Sequence, residues 1–196
     1  AISLGAPILA LTAAGEDPRT FPNTDLVATL KGISDGTQIG DSGTLNDDIF
    51  GILALVSAGE SSTSSAVQGA KIFLLSNQNS DGGWGWGVGA DSDTNDTASA
   101  IMALMEAGIS SSDSSIQNAL AYLQGAQNDD GGFPYDPNSS FGTDSDASST
   151  AWVILAITKL GQDPVSWTSD SGGNPVDFLW SLQHEDGYFE NTPGAG

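Results

Sequence analysis

A repeated six-residue string restricts the fold of this chain more than any other feature of its sequence. ALVSAG at residues 54–59 returns as ALMEAG at 103–108 and as AITKLG at 156–161, and ALTAAG at 10–15 is a fourth copy. The copies recur roughly every 50 residues, a period that is typical of repeat architectures. The sequence therefore predicts four related structural units in succession.

A second motif follows the string: an aromatic, an aliphatic, a Gln, a Gly and a second aromatic residue at fixed spacing. In the first repeat only Asp35 and Gly36 remain, with Gly32 and Gln38 at the Gln and aromatic positions. We expect the Gln to bond free backbone groups of helix ends and so to support the fold. The complete copies are Phe73, Leu74, Gln78, Gly82 and Trp84; Tyr122, Leu123, Gln127, Gly131 and Phe133; and Phe178, Leu179, Gln183, Gly187 and Phe189.

Each repeat is predicted to contain two helices within one domain, and the repeats are placed at about residues 1–36, 37–82, 83–131 and 132–187. The first, inner helix is apolar on nearly all faces, as expected of a helix buried on both sides. The second, outer helix is amphipathic, and no long segment alternates at period two, so the predicted fold class is all-α. Inner helices are expected at 4–14, 47–58, 97–107 and 148–160, and outer helices at 24–33, 65–77, 114–126 and 175–182.

Charge and composition limit the partners of the chain. It carries 25 acidic residues against four Lys and Arg, a net charge of −21. Such a surface repels phosphate backbones and anionic lipid, so neither nucleic acid binding nor membrane insertion is expected. The absence of cysteine excludes disulfides and zinc–thiolate sites. The acidic, Lys-poor composition favours an extracellular or cell-surface protein, whose other domains would be partners.

The Gln–Gly–aromatic motif, followed by an inner helix with an Asp/Thr cap, resembles the repeat shared by squalene and terpene cyclases and the β subunits of protein prenyltransferases. The resemblance covers essentially the whole chain and is strongest in repeats two and three. It implies an α/α toroid, in which outer helices surround inner helices that line a cavity; four hairpins would make a partial or small barrel. The end at ENTPGAG, where another inner helix is expected, suggests a polar cap or a piece of a longer protein.

The segment DSDTNDTA at residues 91–98 carries the sharpest chemical signal. Class II terpene cyclases have Asp-x-Asp-Asp-Thr-Ala at the matching place, and the resemblance implies that the middle Asp protonates the substrate. Asn95 occupies that position here and has no acidic proton, so a noncatalytic chain is predicted. The alternative is a terpene cyclase-like or prenyltransferase-like enzyme acting on isoprenoids, with its acid relocated to Asp93, Asp96 or Asp146. The same aspartates are also suitable helix N-caps.

No metal or cofactor is predicted with any specificity. The zinc site of prenyltransferases needs Asp, Cys and His, whereas this chain has no Cys and only His184, which we expect at the surface. Asp91, Asp93 and Asn95 offer alternating oxygens for calcium, but the loop lacks the Gly and Glu of the helix-loop-helix calcium motif. Calcium is therefore left open. A corrinoid is left open by analogy with cobalamin carriers of this fold.

Aromatic residues gather in loops at one end of the predicted hairpins. Trp86 and Tyr135 each lie two residues past a motif aromatic and flank acidic caps. An aromatic and acidic rim suits a neutral or cationic ligand such as a saccharide or a corrinoid, although turn packing alone would also explain these side chains. The predicted function is a noncatalytic ligand-binding module, or a structural spacer, of a surface protein. The candidate ligand-binding residues are Trp84, Trp86, Asp91, Asp93, Asn95, Asp96, Tyr135 and Asp146.

Overall fold

The computed structural model of the chain describes residues 1–194. Over this range the chain forms eight α-helices and two single-turn 3-10 helices, with isolated β-bridges between them. The all-α prediction is confirmed, and every predicted helix is present with ends within about three residues of those expected. The helices are α1 (Ile2–Ala13), α2 (Leu26–Gly32), α3 (Leu45–Ser57), α4 (Ser65–Ser76), α5 (Thr94–Glu106), α6 (Ser114–Ala126), α7 (Ala147–Lys159) and α8 (Pro175–Ser181).

The ends of the inner helices follow from particular side chains. The Asp146 carboxylate accepts the backbone N–H of Ser149 at the start of α7, and so satisfies a donor that has no partner within the helix. The glycine that closes the repeated string has a positive φ after each of α3, α5 and α7, at Gly59, Gly108 and Gly161. Only glycine adopts this conformation without steric cost, which explains why the string ends there.

Contacts divide the chain into two compact units. Unit 1 consists of Ala1–Gln78, Gly85–Ala90 and Met102–Asp113, and unit 2 consists of Asn79–Trp84, Asp91–Ile101 and the chain from Ser114 onward. In unit 1, α3 packs on α1 and α4, and in unit 2, α7 packs on α8. The description of the chain as one domain stays a prediction. Fully buried core side chains include Ile8, Leu30, Ile49, Ile52 and Leu74 in unit 1, and Trp84, Leu123, Phe133, Val153 and Ile157 in unit 2.

The Gln–Gly–aromatic motif forms a hydrogen-bonded turn, which we call the motif turn, at residues 78–84 and again at 127–133. In the second copy, Gln127 Nε2 donates to Gly131 O at 3.0 Å and to Trp167 O at 3.1 Å. These acceptors lie in the turn itself and in the loop before α8, so for Gln127 the expected bonds to helix ends are wrong. The amide is used to close the turn and to hold a neighbouring loop.

A set of side-chain bonds is the same in both copies of the motif turn. An Asn donates to a Ser hydroxyl, the Ser donates to an Asp, and the Asp accepts the N–H of the second Gly. The bonds are Asn79 to Ser92, Ser92 to Asp81 and Gly83 to Asp81 in one copy, and Asn128 to Ser145, Ser145 to Asp130 and Gly132 to Asp130 in the other. Polar side chains thus fix the turn that leads into each inner helix.

The first repeat keeps part of this turn at residues 34–40. The Asp35 carboxylate accepts the N–H of Thr37, but the residue in the place of the motif aromatic is Ile39, not Gln38. Ile39 makes the bond to the inner helix that Trp84 and Phe133 make at the next two turns, and its side chain is fully buried. The sequence register is therefore off by one residue here, because this turn contains one residue more.

Candidate functional site

The acidic segment enters α5 in unit 2 through Asp93, which is the N-cap of the helix. Its Oδ1 accepts the backbone N–H of Asp96 at 2.7 Å, and its own N–H donates to Trp84 O at 3.0 Å. Asp93 is 3% exposed and Asp96 is 7% exposed. The predicted cap is therefore present, but it lies almost wholly out of water, where a carboxylate is costly.

Asp93 and Asp96 form a pair of carboxyl groups. Removal from water is the largest cause that raises the pKa of Asp93, to about 8; the side-chain hydrogen bond with Asp96 and the charge of that neighbour act in the same direction. The hydroxyl of Tyr135 opposes them by hydrogen bonding to Asp93. At neutral pH the two carboxyl groups therefore hold a proton between them, and the titration belongs to the pair.

Tyr135 covers this pair from a neighbouring loop of unit 2. Burial and the charges of Asp93 and Asp96 raise the pKa of the Tyr135 hydroxyl to about 12, so the group remains a donor at physiological pH. The backbone of the loop is fixed to α5, because Tyr135 O accepts the N–H of Thr94 at 2.9 Å and Pro134 O accepts Thr94 Oγ1 at 2.7 Å. The structure thus brings together Asp93, Asp96 and Tyr135, three of the predicted candidates.

Other predicted candidates lie in different settings. Trp84 is fully buried in the core of unit 2, and its backbone N–H donates to Thr97 Oγ1 at 2.9 Å, so its ring offers no face to a ligand. Asn95 is half-buried and Asp91 is exposed. Asp146 caps α7 and accepts both the N–H and the hydroxyl of Ser149, at 2.9 and 2.6 Å. Its role in α7 is that of Asp93 in α5.

The aromatic Trp86 belongs to unit 1 and is 57% exposed. Its carbonyl oxygen accepts the N–H of Leu45 at 3.1 Å at the start of α3, which fixes the backbone beneath the exposed ring. His184, expected at the surface, is stacked on Tyr188 with ring centroids 4.7 Å apart, and its side chain is 45% exposed.

Unit 2 also contains a polar cavity of about 740 Å³, which no sequence pattern indicated. Two amide groups of its lining donate within the protein: Gln127 Nε2 to Gly131 O, and Asn128 Nδ2 to Thr143 O at 2.8 Å. Their oxygens and the nearby carboxylates remain, so the lining accepts more hydrogen bonds than it donates. The lining residues are Gln127, Asn128, Asp129, Asp130, Thr143, Asp144, Ser145, Thr192 and Pro193.

Within residues 1–194, no three side chains among His, Cys, Asp and Glu are grouped so that they could hold a metal ion. The Asp93 pair has only two carboxyl groups, and the carboxylates of the cavity do not form such a group either. In the same range no helix is long and apolar enough to cross a bilayer.

Residues 46–196 match the family model of the squalene-hopene cyclase C-terminal domain. The matched range is more than half of the chain and includes the Asp93 pair, Tyr135 and the polar cavity. No curated protein is significantly similar to the chain.

Proposed function

The chain belongs to the squalene-hopene cyclase C-terminal domain family, and on that premise we propose that it is a noncatalytic ligand-binding module on a terpene cyclase-like scaffold. Its all-helical structure is consistent with the α/α-toroid fold of that family. The net charge of −21 and the scarcity of Lys support a place in a secreted or cell-surface protein beside other domains.

The observation that carries this proposal is the use of the motif aspartates as helix caps. Asp93 accepts the N–H of Asp96, and Asp146 accepts the N–H of Ser149 at the same place in the next repeat. A cap explains both residues without chemistry, since each satisfies a backbone donor that the helix leaves unpaired. Asn95, at the position of the cyclase acid, has no acidic proton to transfer.

The polar cavity is the ligand site that we assign to this function. Its lining contains carboxylate, amide and hydroxyl groups and no cationic side chain. Anions are therefore repelled, whereas a ligand rich in hydroxyl or amino groups finds acceptors on several sides. A saccharide fits this chemistry, and an amino sugar would in addition gain from the negative potential.

Calorimetric titration with neutral and amino oligosaccharides tests the assignment. Asp144→Asn removes one charge from the cavity wall and is expected to weaken binding about tenfold, the loss expected for a charge-assisted hydrogen bond. Glu185→Gln removes an equal charge outside the cavity and is expected to leave binding unchanged. No binding at millimolar ligand, or equal effects of both variants, would remove the cavity from the proposal. Addition of cobalamin, followed by its visible spectrum, tests the corrinoid alternative.

A second candidate function rests on the Asp93 and Asp96 pair. A carboxyl group that keeps its proton at neutral pH is a suitable general acid, and Tyr135 holds this one in place. The pair would then replace Asn95 in a terpene cyclase-like reaction on an isoprenoid. Incubation with squalene and shorter isoprenoids tests this function. Product formation that is lost in Asp93→Asn and kept in Asp146→Asn would replace the noncatalytic proposal.

A further inference from the structure

One repeat position has different chemistry in unit 1 and in unit 2. In unit 2 the position is a threonine, whose hydroxyl accepts the backbone N–H of the motif aromatic. Thr97 Oγ1 accepts from Trp84 at 2.9 Å, and Thr150 Oγ1 accepts from Phe133 at 3.0 Å. Thr97 Oγ1 also lies 3.2 Å from Trp84 O and donates to it. A hydroxyl therefore satisfies both backbone groups and carries no charge.

Unit 1 has Asp48 at this position, three residues into α3. Its Oδ1 accepts the N–H of Ile39 at 2.7 Å, which is the same bond. The residue is 0% exposed. Its second oxygen, Oδ2, is buried and has no hydrogen-bond partner. An ionised Asp48 would thus keep a full charge out of water with a single donor, which is a costly arrangement.

The charges around Asp48 do not compensate for this cost. The pKa of Asp48 is raised to about 7: burial is the largest cause, the hydrogen bond from the Ile39 N–H opposes it, and the charges of Asp47 and Asp35 act in the same direction as burial. The amino group of Ala1 acts in the opposite direction, but it is paired with Asp47 at 2.7 Å.

The helices that pack on α3 bring no other cation to Asp48. Helix α1 contains no ionisable side chain. Lys31 of α2 is paired with Glu60 at 2.8 Å. Lys71 of α4 donates to Gln68 of its own helix. In these packed elements, the charges left facing Asp48 are those of Asp35 and Asp47 and the paired Ala1 amino group.

We propose that Asp48 makes a proton-dependent contact between the turn at residues 34–40 and helix α3, so that the turn detaches from the helix when the carboxyl ionises. The protonated group is tolerated in the core, whereas the carboxylate favours an open state in which water reaches it. The folded pKa lies above that of an unfolded Asp, so the stabilisation is complete below about pH 4 and is lost as pH rises through about 7. The contact is thus closed in mild acid and weakened above neutrality.

Hydrogen exchange at the Ile39 amide of the intact chain tests this proposal. After correction for the intrinsic exchange rate, the opening constant is expected to rise by up to about tenfold per pH unit between pH 5 and 7 and to level off above pH 7. Asp48→Thr copies the sister repeats and is expected to give an opening constant that does not change with pH. Asp48→Asn keeps the size and the acceptor oxygen of Asp48, and its opening constant is likewise expected not to change with pH.

The Trp84 amide in unit 2 is the internal control, because the titration of Asp93 in that unit does not involve Asp48. The Trp84 amide is expected to keep the same pH dependence in the wild type and in Asp48→Thr. A constant Ile39 opening constant in the wild type, or a pH dependence that persists in Asp48→Thr or Asp48→Asn, would overturn the proposal. If one variant does not fold, the other decides.

Discussion

Asp93 has two roles: it caps helix α5, and it forms a carboxyl pair with Asp96. Substitutions at this residue distinguish the two roles. In Asp93→Asn, the side-chain oxygen still accepts the Asp96 N–H and the amide can donate to the Asp96 carboxylate, as the protonated acid does. We expect the free energy of unfolding to stay within about 1 kcal/mol of the wild type at pH 6, and to exceed it at pH 9, because the raised pKa of Asp93 makes its stabilisation disappear as pH rises through about 8.

Urea unfolding at the two pH values measures this effect. Asp93→Ala loses the cap and is expected to cost about 1–2 kcal/mol at pH 6, and less at pH 9, because it too no longer carries the buried charge. Asp146→Asn, at the equivalent cap of α7, is the matched control and is expected to show no gain at pH 9. A gain of equal size at Asp146 would assign the effect to general charge reduction.

Tyr135 affects the same titration from outside the helix. Its hydroxyl hydrogen bonds to Asp93 and lowers the pKa of that carboxyl. Tyr135→Phe removes the donor and keeps the ring, so the pKa of Asp93 is expected to rise above its wild-type value. Carbon NMR titration of the Asp93 carboxyl measures the shift. An unchanged or lower pKa would show that the hydroxyl makes no bond to Asp93 in solution.

The sequence predicts the caps of the candidate site but not the pairing. Asp93 was recognisable as an N-cap because an acidic residue precedes an apolar helix. The proton shared with Asp96 depends on the burial of both carboxyl groups and on the Tyr135 hydroxyl, which comes from a distant part of the chain. Local pattern contains no information about such contacts. For the same reason, the raised pKa of Asp48 can be inferred only once its burial is known.

At the scale of elements, helix α4 and the turn at 34–40 touch through backbone. A Cβ on Gly69 would collide with the carbonyl oxygen of Gly36, whereas a Cβ on Gly125 in α6 would meet nothing within 4 Å. Gly69→Ala is therefore expected to lower the free energy of unfolding by about 1–3 kcal/mol, the usual cost of overpacking. Gly125→Ala, the matched helical control, is expected to raise it by about 0.4–1 kcal/mol. Thermal unfolding of both variants compares them directly, and equal effects would contradict the close approach.

Helices were predictable because their apolar faces, caps and closing glycines are local features. Two similar connectors, GEDPRTF at residues 15–21 and GQDPVSW at residues 161–167, show how far local sequence reaches. Asp17 and Asp163 cap the 3-10 turns that the two Asp-Pro pairs begin. The aromatic that follows is buried in one connector, where Trp167 is 7% exposed, and half-exposed in the other, where Phe21 is 44% exposed. Whether a ring finds a place between helices depends on the neighbours, which similar sequences do not share.

At the scale of the whole molecule, charge opposes folding. With 25 acidic and four basic side chains, the compact state brings like charges together. Raising NaCl from about 10 mM to 1 M shortens the screening length from roughly 30 Å to 3 Å, so the melting temperature is expected to rise by several degrees. Scanning calorimetry measures it, and a constant melting temperature would show that the repulsion is negligible.

Divalent salts separate screening from a specific site. MgCl₂ and CaCl₂ at equal concentration are expected to raise the melting temperature equally, because screening depends on charge and concentration. A clearly larger effect of CaCl₂, reversed by a chelator, would reveal a calcium site in the acidic loops.

The cavity and the division into two units were not predictable from the sequence. Both arise from packing between segments that are distant along the chain.

The side-chain hydrogen bonds of the motif turn also provide a way to recognise distant homologues. Asn79, Asp81 and Ser92 in one copy correspond to Asn128, Asp130 and Ser145 in the next, and each Ser directly precedes the Asp that caps the following helix. A sequence search that requires this polar triplet, rather than the interchangeable aliphatic residues of the helices, would retrieve family members whose overall sequence similarity is low. Each triplet found in this way would mark one motif turn that leads into an inner helix.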